Sequence, residues 1–529
     1  MPKAVGYVDA YQDKKFLAKC FIPTRCYKDA LEPEVNFICG RRGTGKSAIV
    51  LNIKNQDKYD YKDHIEGTQF YQQFITTLKP YVFDDNHLDC TYIFQTIWKH
   101  LILTTAMNSV IATKYKTDYD YISSEDSPIY EYLKSKRFLG KRPLSLWQKI
   151  ITGLTKAILS KSNKPTFVSE VLKQVTKVLE NDDFVAAEQA FKEHLSGGSK
   201  CLVIVDTILD FFKKEELFIA CVEGLMYAVL DLSCEKYSAN LEIKCCIPGE
   251  VYPHMKMWEK SKVKDHLIFL QWSPKDLIRM ISKRLMYHIV VKNDTNETEF
   301  NSINWDNYKE VKRKVWNRYF PKHILNVKKS EEETHVYILR HTHHTPREII
   351  RIVNEIVNEC ECELFEELSN QNLQTAIVKG VHEAVKSTVQ ELVDSNQYLI
   401  PNLNNILLNS FQSKPKVLTI GEVRQNLAAS RKYWKQSPSL IEEDNVIVEL
   451  IAMGFLGLVL NFHENKDYMY KTKFSYLNSD VGLDKECYLA IHPLFYDAYN
   501  INRDLERYVY PASGLIASWN DLDSITDAT

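Results

Sequence analysis

Apolar residues along the chain follow two patterns, short runs in the first half and helix-spaced positions elsewhere. Largely apolar runs at residues 35–39, 200–206, 241–247 and 266–270 are typical of strands buried on both faces of a parallel sheet. The sequence therefore predicts the α/β fold class, with these four strands forming a parallel sheet.

Helical periodicity is strong between the first two of these strands, at about 57–198. Apolar residues recur at i, i+3 and i+4 through residues 92–102, and similar patterns cover 144–159 and 184–195. We interpret this stretch as a helical insertion into the sheet. A further apolar helix is predicted at 216–232, and the chain after the last strand is mostly helical.

The link from the first strand to the following helix carries the most specific motif. Residues 40–47, GRRGTGKS, satisfy the pattern G-x-x-x-x-G-K-[ST]. In this pattern backbone N–H groups curl around a phosphate, Lys46 places its ammonium between the β- and γ-phosphates, and the Ser47 hydroxyl binds Mg²⁺. The helix that follows directs its positive end at the anion. The predicted phosphate-binding residues are Gly40, Arg41, Arg42, Gly43, Thr44, Gly45, Lys46, Ser47 and Ala48.

A second candidate site residue ends the strand at 200–206. Asp206 lies at the carboxyl end of this apolar run, where an acid can hold Mg²⁺ through water opposite Ser47. A second acid usually follows directly, but Thr207 stands there. We predict Asp210 as the base that polarises the attacking water. The alternative is that turnover is slow or needs a partner.

The helical region after residue 272 is predicted to form a lid over the nucleotide. Its first helix begins with Ser273 as N-cap and Pro274 at the first helical position. Arg347 begins a later helix, from which it can reach the γ-phosphate and report hydrolysis to the lid. The alternative is a surface arginine paired with Glu348 or Asp276.

The last third of the chain has the pattern of a winged-helix domain. Short helices at 402–410, 419–430 and 446–453 are followed by alternating segments at 468–476 and 488–491, which suit two strands of a wing. DNA and protein are equally good partners for such a domain. The basic residues that make DNA plausible are Lys414, Lys416, Arg424, Arg431, Lys432 and Lys435.

These patterns divide the chain into five parts, where its 529 residues alone suggest about three to four domains. They are a leader at 1–33, a phosphate-loop core at 34–271, a helical lid at 272–395, the winged-helix domain at 396–505 and a polar tail at 506–529.

Bulk composition excludes some classes of protein. A hydrophobic content of 45% with 26% charged residues is ordinary for a globular protein, and a net charge of −2 confines any basic surface to a local patch. No signal peptide precedes the core, and the apolar stretch at 446–460 is too short to span a bilayer. The cysteine spacing suits reduced core thiols. We therefore expect a cytoplasmic protein without membrane contact.

The sequence resembles the AAA+/STAND-like P-loop ATPases of bacteria, close in plan to initiator-type ATPases. GRRGTGKS, the VIVD strand, WSPKDLIRMISKRL and TPREIIRIVNEI occur in the family's order, followed by GFLG and IHP in the winged helix. The resemblance covers most of residues 20–505. It implies ATP and Mg²⁺ as cofactors, a homo-oligomer and a role in antiviral defence or mobile elements. The remaining sequence has no nuclease, protease or deaminase pattern, so we expect an effector activity to belong to a separate protein.

Carried over by position, the resemblance gives Lys46 and Ser47 the phosphate and Mg²⁺ roles and makes Arg347 the lid sensor. Thr207 departs from the family's acidic pair. Arg279 and Arg284 are candidates for an arginine finger, because they lie near an expected subunit edge.

The leading hypothesis is an ATP-driven switch whose closure promotes oligomerisation and engages DNA or an effector. A non-hydrolysing ATP-binding scaffold or DNA-binding regulator is the alternative. A small-molecule kinase is a third option, although the lid and wing argue against it. The motif does not distinguish ATP from GTP.

Overall fold

The computed structural model describes most of the chain in fifteen segments. They are residues 4–66, 87–116, 118–159, 168–206, 216–234, 240–256, 260–293, 297–326, 331–360, 370–397, 400–435, 442–462, 469–475, 486–502 and 507–511. The chain divides into two compact units. The core unit comprises Arg25–Arg42 and Lys46–Leu270, and the C-terminal unit comprises Met1–Thr24, Gly43–Gly45 and Gln271–Thr529.

A five-stranded parallel sheet forms the centre of the core unit. Its strands are β1 (Phe37–Gly40), β2 (Tyr61–Glu66), β3 (Cys201–Asp206), β4 (Leu241–Pro248) and β5 (Leu267–Phe269). They pair in the order β2-β3-β4-β1-β5, so β4 lies between β1 and β3. The predicted α/β class and its four apolar strands are confirmed.

Strand β2 differs from the sequence prediction, which assigned its residues to the helical insertion. It pairs in parallel register with β3 along its whole length, from Tyr61 opposite Cys201 to Glu66 opposite Asp206. Its sequence, YKDHIE, lacks a continuous apolar run because an edge strand is covered on fewer sides than an inner strand. The described helices of the insertion begin only after this strand.

Helices pack around this sheet, including the predicted ones. Of the positions predicted to face the core at 92–102, Tyr92 is exposed and the others are buried. The helices of the core unit are Arg25–Ala30, Lys46–Lys54, His87–Tyr115, Ser127–Ser135, Pro143–Leu159, Val168–Leu179, Asp182–Ser196, Glu216–Cys234 and Lys260–Asp265.

The helix Glu216–Cys234 is the one described helix that is long and apolar enough to cross a membrane, with a mean hydropathy of 1.8. The sequence pattern instead draws attention to 446–460 as the most apolar stretch. About two thirds of the helix Glu216–Cys234 is buried inside the protein. A Cβ at Gly224 would lie 2.5 Å from the Phe94 Cβ and 2.8 Å from the Thr91 carbonyl oxygen, so glycine permits close packing against His87–Tyr115.

The C-terminal unit includes the start of the chain. Val5 N–H donates to Asn354 Oδ1 at 3.0 Å, and the buried Asp13 carboxylate pairs with Arg284 at 2.7 Å. Arg284 is therefore a buried residue whose guanidinium is held by an ion pair within this unit. Helices here are Lys14–Cys20, Pro274–Asn293, Glu297–Ser302, Tyr308–Val311, Asn317–Tyr319, Thr334–Arg340, Pro346–Glu359 and Asn370–Asn396, with a π-helical turn at Lys312–Trp316. Strands β6 (His323–Leu325) and β7 (Glu331–Glu333) form an antiparallel pair.

The last part of the chain combines short helices with a second five-stranded sheet. Its helices are Leu403–Phe411, Ile420–Ala429, Arg431–Trp434 and Glu443–Ala452. Its strands are β8 (Val417–Thr419), β9 (Leu456–Val459), β10 (Met469–Lys473), β11 (Tyr488–Ile491) and β12 (Tyr508–Pro511), in the order β12-β10-β9-β11-β8.

The two strands predicted for the wing, β10 and β11, are present but are not neighbours. Strand β9 lies between them and pairs antiparallel with both. Strand β12 lies within the segment predicted as a polar tail and pairs in parallel with β10. The sheet is therefore larger than a two-stranded wing.

Candidate functional site

The phosphate-loop motif lies between β1 and the helix Lys46–Lys54, as the sequence predicts. Gly43 and Gly45 have φ angles of 85° and 93°, in the left-handed region that side chains other than glycine rarely adopt. These two glycines turn the backbone sharply before the helix begins. A turn of this kind, followed by a helix N-terminus, presents successive N–H groups on one side.

Lys46 is folded over this loop. Its ammonium donates to the carbonyl oxygen of Gly40 at 2.6 Å and to that of Arg41 at 3.1 Å. Ser47 and Ala48 follow in the first helical turn and are partly exposed. The ammonium and the helix N-terminus together give this end of the sheet a positive charge.

Asp206 ends β3 at the same edge of the sheet. Since β4 separates β1 from β3, these two strands lie about 9–10 Å apart. Val205 is level with Phe37, because both pair with Cys245, so Asp206 lies about two residues short of the end of β1 at Gly40. Cys246, on β4, lies between the Lys46 and Asp206 charges in the sheet. Burial raises the pKa of the Cys246 thiol, the Asp206 carboxylate raises it further, and the Lys46 ammonium lowers it. Lys46 and Asp206 therefore act on the same small region.

Two residues that sequence reasoning did not place in the catalytic set lie beside these groups. Glu250 follows β4, and its Oε1 accepts the Arg42 backbone N–H at 3.1 Å. His64 lies on β2 opposite Ile204. Burial lowers the pKa of His64 to about 4, against the opposing effect of Asp206, so the ring is neutral at pH 7. The sequence did not point to His64, because its strand, β2, lacks the apolar run that predicts a buried strand.

Thr207 and the predicted base Asp210 lie outside the described residues. The assignment of Asp210 therefore stays a prediction.

The tip of the loop, Gly43–Gly45, belongs to the C-terminal unit. Trp272 Nε1 donates to the Thr44 carbonyl oxygen at 2.7 Å, and the Arg347 backbone N–H donates to the Gly43 carbonyl oxygen at 3.3 Å. A Cβ on Gly43 would lie 2.9 Å from the Arg347 Cβ. The predicted lid residue thus begins its helix directly against the loop tip.

The Arg347 guanidinium pairs with Glu391, an acid that the sequence does not suggest. Its Nη1 lies 3.1 Å from Glu391 Oε1, and Arg351 Nη2 lies 2.5 Å from the other oxygen of that carboxylate. Glu348 is buried, where it accepts hydrogen bonds from the Thr345 hydroxyl at 2.9 Å and the His343 N–H at 2.7 Å. Burial raises the pKa of Glu348 to about 7.

The basic residues predicted to contact DNA do not form one exposed patch. Lys416 is buried, and its ammonium donates to the Arg507 carbonyl oxygen. Arg424 forms a bidentate ion pair with Asp444, in which Nε lies 2.6 Å from Oδ1 and Nη2 lies 3.0 Å from Oδ2. Lys432 and Lys435 are exposed. Within the described part of the chain, no group of three or more His, Cys, Asp or Glu residues could hold a metal ion.

Comparison with known proteins gives one informative similarity. No protein-family model matches this chain. The chain is similar to a protein of Escherichia coli (strain K12) named "Putative transposon gamma-delta 80.3 kDa protein", with 21% identity over 530 residues. The alignment covers 94% of this chain and 67% of that protein.

Proposed function

We propose that this chain is a Mg²⁺-ATP-binding and hydrolysing switch with a P-loop NTPase fold, related to the AAA+/STAND-like ATPases. The observation that carries the proposal is the placement of the phosphate loop and Asp206 after the carboxyl ends of β1 and β3, two parallel strands separated by a single strand. The two left-handed glycines before Lys46 support the same assignment, since they leave the backbone N–H groups open to a phosphate.

Each residue then has a chemical role. The N–H groups of residues 43–48 and the Lys46 ammonium bind the phosphates and stabilise the charge that develops on them during β–γ cleavage. Ser47 and Asp206 would hold Mg²⁺, and their hydroxyl and carboxylate oxygens fit the hard-oxygen preference of this ion. When bound, Mg²⁺ supplies charge neutralisation at the β- and γ-phosphate oxygens. We propose Asp210 as the group that polarises water.

Arg347 is the proposed γ-phosphate sensor. Its backbone N–H already contacts the loop tip at Gly43, while Glu391 holds its guanidinium. Exchange of Glu391 for a phosphate oxygen would pass the state of the nucleotide to the helix Asn370–Asn396. This exchange would drive oligomerisation and engagement of an effector protein.

For the last part of the chain we propose a winged-helix domain. Its element order supports this: the helix Leu403–Phe411, β8, three further helices, then β9, β10 and β11. Strand β11 pairs with both β8 and β9. Glu443 and Asp444 begin the helix Glu443–Ala452, and Asp444 neutralises Arg424. These charges favour a protein partner over DNA for this domain. The similarity to a protein named for a transposon supports a role linked to mobile elements.

Phosphate release from ATP in Mg²⁺ buffer tests the proposal. Wild type should release phosphate, slowly or only with a partner present, and Asp206→Ala should not. Lys28→Ala, which removes an exposed lysine of the helix Arg25–Ala30, is the matched control and should behave as wild type. If ATP binds but no phosphate is released under any condition, the chain is the non-hydrolysing scaffold.

A further inference from the structure

A cavity of about 690 Å³ lies in the helical insertion of the core unit, away from the phosphate loop in sequence. Most of its lining lies at residues 132–153, from the helix Ser127–Ser135 into the helix Pro143–Leu159, and His100, Val178 and Leu179 complete it. Lys136, Arg137, Lys141 and Lys149 line this cavity, and among the described residues no aspartate or glutamate does. We call these four residues and the cavity the basic groove.

The charge of this region is unlike that of the whole chain. Between Glu131 and Glu170 there are nine lysine or arginine residues and no acidic residue, in a chain of net charge −2. None of the four groove side chains forms an ion pair with a described acidic residue. Burial lowers the pKa of Lys149, and the like charges of Lys141 and Arg137 lower it further.

The groove is held in shape by the protein around it. Asn108, buried in the helix His87–Tyr115, accepts the Gly140 N–H at 2.9 Å and donates to the Lys141 carbonyl oxygen at 2.9 Å. Lys149 donates to the Arg137 carbonyl oxygen, and Arg137 itself has a φ of 58°. Like charges held close together in this way favour binding of an anion with several charges.

We propose that the basic groove binds the phosphate backbone of nucleic acid. Arg137 and Lys141 are exposed and can each contact a phosphate, while Ser145 and Gln148 on the groove wall can donate hydrogen bonds to phosphate oxygens. The aromatic rings described here, Tyr132 and Phe138, are buried and cannot stack on bases. Binding is therefore independent of base sequence and strongly dependent on salt. This site does not depend on the proposed ATPase.

The test compares two triple variants that remove the same charge. The groove variant carries Lys136→Gln, Arg137→Gln and Lys141→Gln. The control carries three substitutions of exposed lysines on the helix Lys14–Cys20, namely Lys14→Gln, Lys15→Gln and Lys19→Gln. Binding to a labelled DNA duplex of arbitrary sequence is measured by fluorescence anisotropy over a series of KCl concentrations, without nucleotide.

The groove variant should bind at least about tenfold more weakly near 0.1 M salt, and its slope of log K against log salt should be smaller by about 3 units. The control should bind within about twofold of wild type. Equal affinity of wild type and groove variant would overturn the proposal. Displacement of DNA by polyglutamate as effectively as by unlabelled DNA would also overturn it, because the groove would then take acidic polypeptides.

Two further variants separate charge from folding. Replacement of Lys136 and Lys141 by Arg and of Arg137 by Lys keeps every charge, and this variant should bind as wild type does. The single change Lys141→Gln, at an exposed position, should lower the slope by about 1 unit. Loss of binding by the charge-conserving variant, or an unchanged slope in Lys141→Gln, would refute the phosphate contacts.

Discussion

The two left-handed glycines of the phosphate loop offer a matched pair of substitutions, Gly43→Ala and Gly45→Ala. Both place an L-residue at a φ of 85–93°, which costs about 1–2 kcal/mol. They differ in their surroundings. A Cβ at Gly45 meets nothing within 4 Å, whereas a Cβ at Gly43 lies 2.9 Å from the Arg347 Cβ and 3.2 Å from its Cδ.

Gly45→Ala should therefore lower the free energy of unfolding by the backbone term alone, about 1–2 kcal/mol. Gly43→Ala should add the cost of overpacking against Arg347, about 1–3 kcal/mol, for a total loss of about 2–5 kcal/mol. Urea denaturation of the nucleotide-free protein, followed by tryptophan fluorescence, measures both.

The double variant Gly43→Ala, Arg347→Gly removes the clashing atoms and should recover the additional loss, so a double-mutant cycle should give a favourable coupling free energy. Equal losses for Gly43→Ala and Gly45→Ala, with no coupling to Arg347, would refute the contact between the loop tip and the helix Pro346–Glu359.

Three further variants test separate parts of the account. Asp206→Asn should leave ATP binding in EDTA unchanged but abolish the gain in affinity that Mg²⁺ gives, as measured by calorimetry with and without the ion. Glu348→Gln should change the pH dependence of stability. In wild type the carboxyl of Glu348 has a pKa of about 7 when folded, so the folded protein should lose about 3 kcal/mol of stability as pH rises from 4.5 to 7. The variant has no charge to bury and should lose less stability over this range, as measured by denaturation curves. The double variant Lys432→Gln, Lys435→Gln should bind DNA within about twofold of wild type in a gel-shift titration, because the neighbouring acidic residues repel DNA from this surface. A larger loss of affinity would show that the proposed winged-helix domain contacts DNA.

Inner strands of the sheet could be predicted because burial on both faces demands apolar runs, as in β1, β3 and β4. The edge strand β2 could not be predicted, because its mixed polar and apolar sequence gives no sign that it pairs with β3. The short strands β8, β9 and β12 have too few residues for a period to stand out. Loop glycines and Lys46 were predictable because the motif fixes both their order and their chemistry.

The part of the site that the sequence could not predict is the pairing of its charged side chains. Arg347 pairs with Glu391, 44 positions away, rather than with its neighbour Glu348, and Arg424 pairs with Asp444. Lys416 was predicted to lie on a basic surface, but it is buried. Such pairs depend on how helices pack, so a count of charges along the chain overestimated the basic surface.

Calorimetric titration of Mg²⁺-ATP into the purified full-length protein tests the central claim most directly. We expect a saturable heat with one ATP per chain for wild type. Lys46→Ala should lose two charge-assisted phosphate contacts, which weakens binding by about 3–5 kcal/mol, or more than a hundredfold. Lys28→Ala should titrate as wild type. Absence of any saturable heat with wild type, or equal affinity in Lys46→Ala, would contradict the assignment of a nucleotide phosphate site to this loop.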